Sequence, residues 1–312
     1  MVFARTLSRI SSAILPFAVL ALAGCGVELA PQSSSSAAQS GSQWIQAGGV
    51  RYHLPHYAPN RKLASILPAG HDYVPYLGGA VITDPKIYFD FWGFKKYGDP
   101  DKIRPLLIDY AKAMGGSGHN NIETQYYEEI SGSTKTFITN PANQFGGSWI
   151  DTAAVPKIPS DPQIAAEAIK AVGHFGYDAN GVYFVVTPHG RSEANFPDHW
   201  CAYHNTTVSK NKSIAYVYFP YMPDGGPSCG ASSIKPPPGE SAVDEGVTII
   251  AGHEIGESIT DPTPSTAWDG PGGEIADVCA FFNIENDPFG KRKFTMQEMV
   301  SDATAACVQS YP

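Results

Sequence analysis

The sequence predicts a mixed α/β fold, with one domain that contains a mixed β-sheet and a buried helix late in the chain. Three observations lead to this prediction. Strand patterns of aromatic and β-branched residues alternate with helix patterns, hydrophobic residues make up 43% of the chain, and the sequence shows no internal repeat. We therefore expect one large hydrophobic core, formed by residues 79–312.

The elements follow the predicted order β-α-β-β-α-β-β-α. The first strand lies in "KIYFDFWGF" (86–94), where aromatic residues alternate along the chain. The helix after it has Asp99 or Asp101 as its N-cap and ends at Gly115 and Gly116. The segment "YYEEISGSTKTFITN" (126–140) then predicts two strands joined by a turn.

The second half of the domain continues with two more helices. The predicted elements are a helix at 160–176, strands at 181–188 and 213–222, and a helix from about Ser241 to Thr260. Ser160 caps the first of these helices and Pro162 lies in its first turn. Ser241 caps the second, Pro262 ends it, and its apolar residues point in nearly all directions, which predicts burial. The rest of the chain is predicted to be loops.

The N-terminus has the pattern of an export signal. Arg5 and Arg9 precede an apolar run that is too short to cross ~30 Å of hydrocarbon, which indicates a signal peptide over residues 1–24. The segment "LAGC" (22–25) resembles the bacterial lipoprotein cleavage box. This resemblance implies a diacylglycerol on Cys25, hence a lipid-anchored, extracytoplasmic protein of the bacterial cell envelope.

The segments after the signal are predicted to be extended. Residues 25–43 comprise the lipidated cysteine and a flexible tether rich in Ser, Ala and Gln. Residues 44–78 form either an extended lead-in or a pro-segment. The net charge of -9 disfavours a polyanion such as nucleic acid. The lipid membrane is an expected partner through the acylated Cys25.

Four cysteines remain after lipidation, an even number that predicts two disulfides in an exported protein. They are Cys201, Cys229, Cys279 and Cys307. Three pairings are open, and proximity in sequence favours Cys201–Cys229 with Cys279–Cys307. A thiolate metal site is the alternative, but no C-x-x-C spacing supports it.

The most informative segment is "IIAGHEIGESITDP" (249–262), which concentrates charge in an apolar helix. His253 and Glu257 are four residues apart and can reach one ion, since imidazole and carboxylate both bind Zn²⁺ at ~2.0–2.2 Å. Glu254 is the predicted general base for a metal-bound water. Glu257 stands where H-E-x-x-H sites have histidine, and its charge shifts the preference from Zn²⁺ toward Mn²⁺ or Ca²⁺. The alternative is a solvated acidic helix end.

A third ligand is expected downstream in "GGEIADVC" (272–279). Glu274 is the preferred ligand, and Asp277 is its neighbour or orients His253. Asp261, one turn beyond Glu257, is the rival third ligand. His199 and His204, which flank Cys201, are weaker candidates.

Three segments together resemble a known family: "GAVITDPKIYFDFWGF", "VYFVVTPHG" and "HEIGESITDP…WDGPGGEIADVC". They are similar, over roughly Gly79–Cys307, to bacterial secreted H-E-x-x-E proteins distantly related to the phosphate-induced protein 1, or EXORDIUM-like, family. The resemblance implies that the protein acts outside the cell and that its domain is zincin-like, with a metallopeptidase-like motif.

These features predict an envelope-anchored, metal-dependent hydrolase, in first place a zinc peptidase with peptide or cell-wall substrates. His253, Glu257 and Glu274 would hold the metal and Glu254 would activate water. The alternative is a non-catalytic cell-wall or glycan-binding lipoprotein whose acidic helix holds a structural cation. In that case the tryptophans could stack on sugars: Trp44, Trp92, Trp149, Trp200 and Trp268.

Overall fold

The structure, a computed structural model, describes residues 44–47, 50–53, 74–130 and 132–312. The predicted signal peptide, Cys25 and the tether lie outside the described residues, as does most of the segment 44–78. Within that segment, β1 (Trp44–Ala47) and β2 (Val50–His53) pair as an antiparallel hairpin. In the described part of the chain, no helix has the length and apolar character that crossing a membrane requires.

A five-stranded mixed sheet forms the centre of the fold. In chain order the next strands are β3 (Lys86–Phe91), β4 (Tyr127–Ile130), β5 (Thr134–Phe137), β6 (Phe145–Trp149), β7 (Gly181–Val186), β8 (Tyr203–Ser209) and β9 (Lys212–Phe219). The sheet order is β6-β3-β7-β9-β8, and β4 and β5 form a separate hairpin. β6, β3, β7 and β9 are parallel, whereas β8 pairs antiparallel with β9 at the edge. The predicted mixed α/β fold is confirmed.

In the described part of the chain four α-helices accompany the sheet, and the first was not predicted. They are α1 (Phe94–Tyr97), α2 (Ile103–Met114), α3 (Asp161–Phe175) and α4 (Glu245–Thr260). The N-cap residue of α2 is Lys102 rather than Asp99 or Asp101, but the carboxylate of Asp99 accepts the N–H groups of Ile103 at 2.9 Å and Arg104 at 3.1 Å. Ser160 and Gln163 form a capping box at the start of α3, as the sequence predicts for Ser160.

The helices cover both faces of the sheet, because side chains alternate along each strand. Phe184 and Val217 lie on the face that packs against α2 and α4. Tyr183, Val185 and Tyr218 lie on the opposite face, which packs against α3. The sheet is therefore the middle layer of three. A β8 side chain on the same face as Val217 points toward α4.

The burial predicted for α4 is confirmed, since all of its 16 residues are buried. Two glycines allow its neighbours to approach closely. A Cβ on Gly246 would lie 2.1 Å from the carbonyl oxygen of Cys229, and one on Gly252 would lie 2.2 Å from Cε of Met296. The predicted start at Ser241 is wrong: Ser241 accepts the N–H of Asp244 in a turn, and the helix begins four residues later, at Glu245.

Several strands were not predicted. β6 and β8 were missed, and the C-terminal part, predicted as loops, contains β10 (Glu285–Phe289), β11 (Arg292–Met296), β12 (Met299–Ser301) and β13 (Ala306–Val308). β6 contains two glycines and β8 reads "YHNTTVS", so neither has the apolar pattern of a strand. The C-terminal strands form two short antiparallel hairpins, β10–β11 and β12–β13. Cross-strand pairing, which local pattern does not reveal, produces these elements.

Candidate metal centre

Three elements meet at the predicted motif. α4 contributes His253, Glu254 and Glu257. The edge strand β8 contributes His204. The segment after α4 contributes Glu274 and Asp277, and Asp277 begins the 3-10 helix Asp277–Cys279. The six residues are between 0% and 6% exposed. Two imidazoles and four carboxyl groups thus share one part of the interior, a set of ligands that divalent metals prefer.

His253, Glu257 and Asp277 form the first set of potential ligands, which we call group one. Nε2 of His253 lies 3.0 Å from Oε1 of Glu257 and 3.5 Å from Oδ1 of Asp277. The backbone N–H of Asp277 donates to the same Oε1 at 2.8 Å, which ties the segment to the helix. Gly273 makes room for this arrangement, since a Cβ there would lie 2.4 Å from Oδ2 of Asp277, and its φ of +95° favours glycine.

His204, Glu254 and Glu257 form the second set, group two. Nδ1 of His204 lies 3.7 Å from Oε2 of Glu254 and 3.8 Å from Oε2 of Glu257, too far for hydrogen bonds. Two ligand atoms at ~2.1 Å from one tetrahedral ion lie roughly 3.4 Å apart. The spacing of these three atoms therefore suits a cation between them better than direct contact.

The other ring nitrogen of His204 has acceptors beside it. Nε2 lies 3.1 Å from the backbone carbonyl oxygen of Asp261 and 3.3 Å from Oε1 of Glu274. In the neutral ring Nε2 therefore carries the proton and donates it, which leaves the Nδ1 lone pair directed at Glu254 and Glu257. Orientation of a metal-binding histidine through its second nitrogen is the usual arrangement in metal sites.

Several polar atoms of the cluster are buried without a hydrogen-bond partner among the described residues. They include both carboxylate oxygens of Glu254 and Oε2 of Glu257. Buried carboxylates normally accept hydrogen bonds or pair with a cation, since desolvation of an unpaired charge costs several kcal/mol. No Lys or Arg of the described part of the chain forms a salt bridge with them, so compensation must come from the histidines, protons or metal.

Burial and mutual repulsion disturb the protonation of the cluster. Burial raises the pKa of Glu257, and the charge of Asp277 raises it further against the attraction of His253. Burial likewise holds the pKa of Glu274 well above its ordinary value. Burial lowers the pKa of His204 and His253, but the surrounding carboxylates outweigh it and raise both well above the ordinary range. The metal-free cluster thus retains protons that a divalent ion would displace.

The structure assigns different surroundings to the predicted third ligands. Asp277 joins group one, whereas Glu274 contacts the far side of the His204 ring and belongs to neither group. The carboxylate of Asp261 accepts the N–H groups of Ser265, Thr266 and Ala267 and thereby orders the loop after α4. Asp261 reaches the cluster through its backbone carbonyl, which contacts His204, and its carboxylate is turned away from both ligand groups.

Both predicted disulfides are confirmed. Cys201 pairs with Cys229 and Cys279 pairs with Cys307, with Cα separations of 5.6 Å and 5.8 Å. Each bond lies close in sequence to one ligand: Cys201 is three residues before His204, and Cys279 is two residues after Asp277. The disulfides therefore restrain the two segments that complete the site around α4.

His204 is the residue that sequence reasoning ranked too low. It lies in β8, a strand that its polar sequence conceals, and its pairing with Val217 directs its side chain to the α4 side of the sheet. Its position near Cys201 was the one available signal. His199, the other weak candidate, is exposed and belongs to neither ligand group.

The fold and this cluster define a mixed α/β protein with a buried histidine–carboxylate centre. No protein-family model, curated protein or solved structure matches the chain. The function is therefore argued from the chemistry of the centre.

Proposed function

We propose that this chain is an extracytoplasmic, divalent-metal-binding protein, in which the metal joins α4, β8 and the segment after α4. The main supporting observation is that both oxygens of Glu254 and Oε2 of Glu257 are buried without a hydrogen-bond partner among the described residues, and that Oε2 of each lies beside the imidazole of His204. A bound cation would neutralise these carboxylates and coordinate the histidines at once. Its role is structural, because ligands that are at most 6% exposed leave no access for a polymeric substrate.

The ligands favour Zn²⁺, with Mn²⁺ as the next choice. Imidazole nitrogen binds Zn²⁺ well and is accepted by Mn²⁺, whereas Ca²⁺ takes oxygen ligands almost throughout. Each ligand group contains one histidine, His253 in group one and His204 in group two. Of the three ions that the motif suggests, Ca²⁺ therefore suits this cluster least.

The compartment follows from the same proposal. Two disulfides support an oxidising environment, because cytosolic thiols are kept reduced. Lipid attachment at Cys25 would anchor the chain to the membrane of the cell envelope. A cell-wall partner would have to bind a surface other than Trp92 and Trp268, which are 5% and 4% exposed and pack in the core.

The first test is metal-dependent thermal stability of the purified full-length protein. At a free Zn²⁺ concentration one hundred times Kd, one site adds about 2.7 kcal/mol, which raises Tm by roughly 5–10 °C in a domain of this size. Chelator should reverse the shift. The control is Glu123→Gln, which changes a buried carboxyl group outside the cluster; burial raises the pKa of Glu123 to about 8. This variant should respond to Zn²⁺ as the wild type does. A Tm that ignores every divalent ion contradicts the proposal.

The second candidate function is metal-dependent hydrolysis, in first place of peptide bonds. Glu254 favours it, because both of its oxygens are unpartnered and it lies beside group one in the H-E-x-x-E order that a general base requires. Opening of the buried site would have to admit the substrate.

Glu254→Gln tests this second candidate with a peptide-library assay. If hydrolysis occurs, the variant should lose at least about 100-fold in turnover, since the general base is gone. Its group-one metal should remain bound, since Glu254 lies outside that group. If the zinc-loaded wild type shows no turnover, the hydrolytic function is contradicted and only the structural role of the metal remains.

A further inference from the structure

We infer that the centre holds two divalent cations rather than one, with the carboxylate of Glu257 as the bridge between them. The inference rests on the proposed metal binding and specifies its stoichiometry. Two observations carry it: the two oxygens of Glu257 face different ligand groups, and each group offers one imidazole and two carboxylates.

The two oxygens of Glu257 face different ligand groups. Oε1 lies 3.0 Å from Nε2 of His253, in group one. Oε2 lies 3.8 Å from Nδ1 of His204, in group two, and has no hydrogen-bond partner among the described residues. In two-metal sites the ions are about 3.5–4 Å apart, a distance that one carboxylate spans when each oxygen binds a different ion.

Each group by itself offers one imidazole and two carboxylates to an ion. Group one adds His253 and Asp277 to Glu257, and group two adds His204 and Glu254. In each group the potential ligand atoms lie within 4.8 Å of one another, and Glu257 is the one member they share. A single ion at either position would leave an imidazole and a carboxylate of the other group buried and unligated.

The test is the metal stoichiometry of the full-length protein after saturation with Zn²⁺ and removal of free ion, measured by elemental analysis. We expect two ions per chain. One ion per chain overturns this inference and leaves the proposed function intact, whereas none overturns the proposed function as well.

Variants assign the two positions. His204→Gln removes a ligand from group two alone and Asp277→Asn from group one alone, so each should lower the ratio from two to one. Glu123→Gln, the control outside the cluster, should retain two. Retention of two ions by both His204→Gln and Asp277→Asn overturns the inference.

A measurement on the wild type covers the case in which a variant fails to fold. With Mn²⁺ in place of Zn²⁺, two ions bridged by a carboxylate are magnetically coupled, and the paramagnetic resonance spectrum should lack the hyperfine pattern of isolated ions. A fully loaded protein with the isolated-ion spectrum contradicts the bridged pair.

Discussion

Glu257→Ala is expected to abolish Zn²⁺ binding and to lower the free energy of unfolding in the presence of Zn²⁺ by roughly 3–5 kcal/mol. Glu257 is the one residue that both ligand groups contain, so its loss leaves only two ligands in each, too few to hold Zn²⁺. It is also the acceptor for the backbone N–H of Asp277, which holds the segment after α4 against the helix. The measurements are metal content after saturation and chemical denaturation with and without chelator.

Glu257→Gln is the matched variant, because it retains the volume of the side chain and an oxygen that can accept the Asp277 N–H. It should lose metal as the alanine variant does. Its stability should equal that of the chelated wild type, or exceed it, because the repulsion between Glu257 and Asp277 is removed. If the alanine variant retains full metal content, the assignment of Glu257 as a ligand is wrong.

The second large effect is expected from the double substitution of Cys279 and Cys307 by serine. The disulfide spans 28 residues, and loss of a cross-link of that length costs about 3.5 kcal/mol in the chain-entropy description. The bond ends at the 3-10 helix Asp277–Cys279, so its loss also frees Asp277. We therefore expect lower stability and weaker Zn²⁺ binding in the same variant.

Serine at both Cys201 and Cys229 is the control, since that disulfide also spans 28 residues. The entropic cost should be equal within about 1 kcal/mol when both variants are measured in chelator. In Zn²⁺ both should bind metal more weakly, the control through His204 and the first variant through Asp277. Wild-type Zn²⁺ affinity in both variants would contradict the restraint that we assign to the two bonds.

The sequence alone was sufficient for much of the fold and for one side of the site. The apolar residues around α4 and the charges of His253, Glu254 and Glu257 within it predict a buried helix that needs a compensating cation. Caps and strand patterns predict α2, α3, β3, β7 and β9, because these signals are local. The pairing of cysteines was also predictable, since each bond joins neighbours in the order of the cysteines.

Tertiary structure alone decided the rest of the site. The strand that carries His204 is polar and lies at the sheet edge, so its pairing with β9, rather than its own pattern, directs the histidine toward α4. The choice among Glu274, Asp277 and Asp261 depends on how the chain turns after α4, where Gly273 and the hydrogen bonds of the Asp261 carboxylate determine which carboxylates face the helix. Helical spacing determines which residues of one element can meet, but it carries no information on residues that other elements bring to the same place.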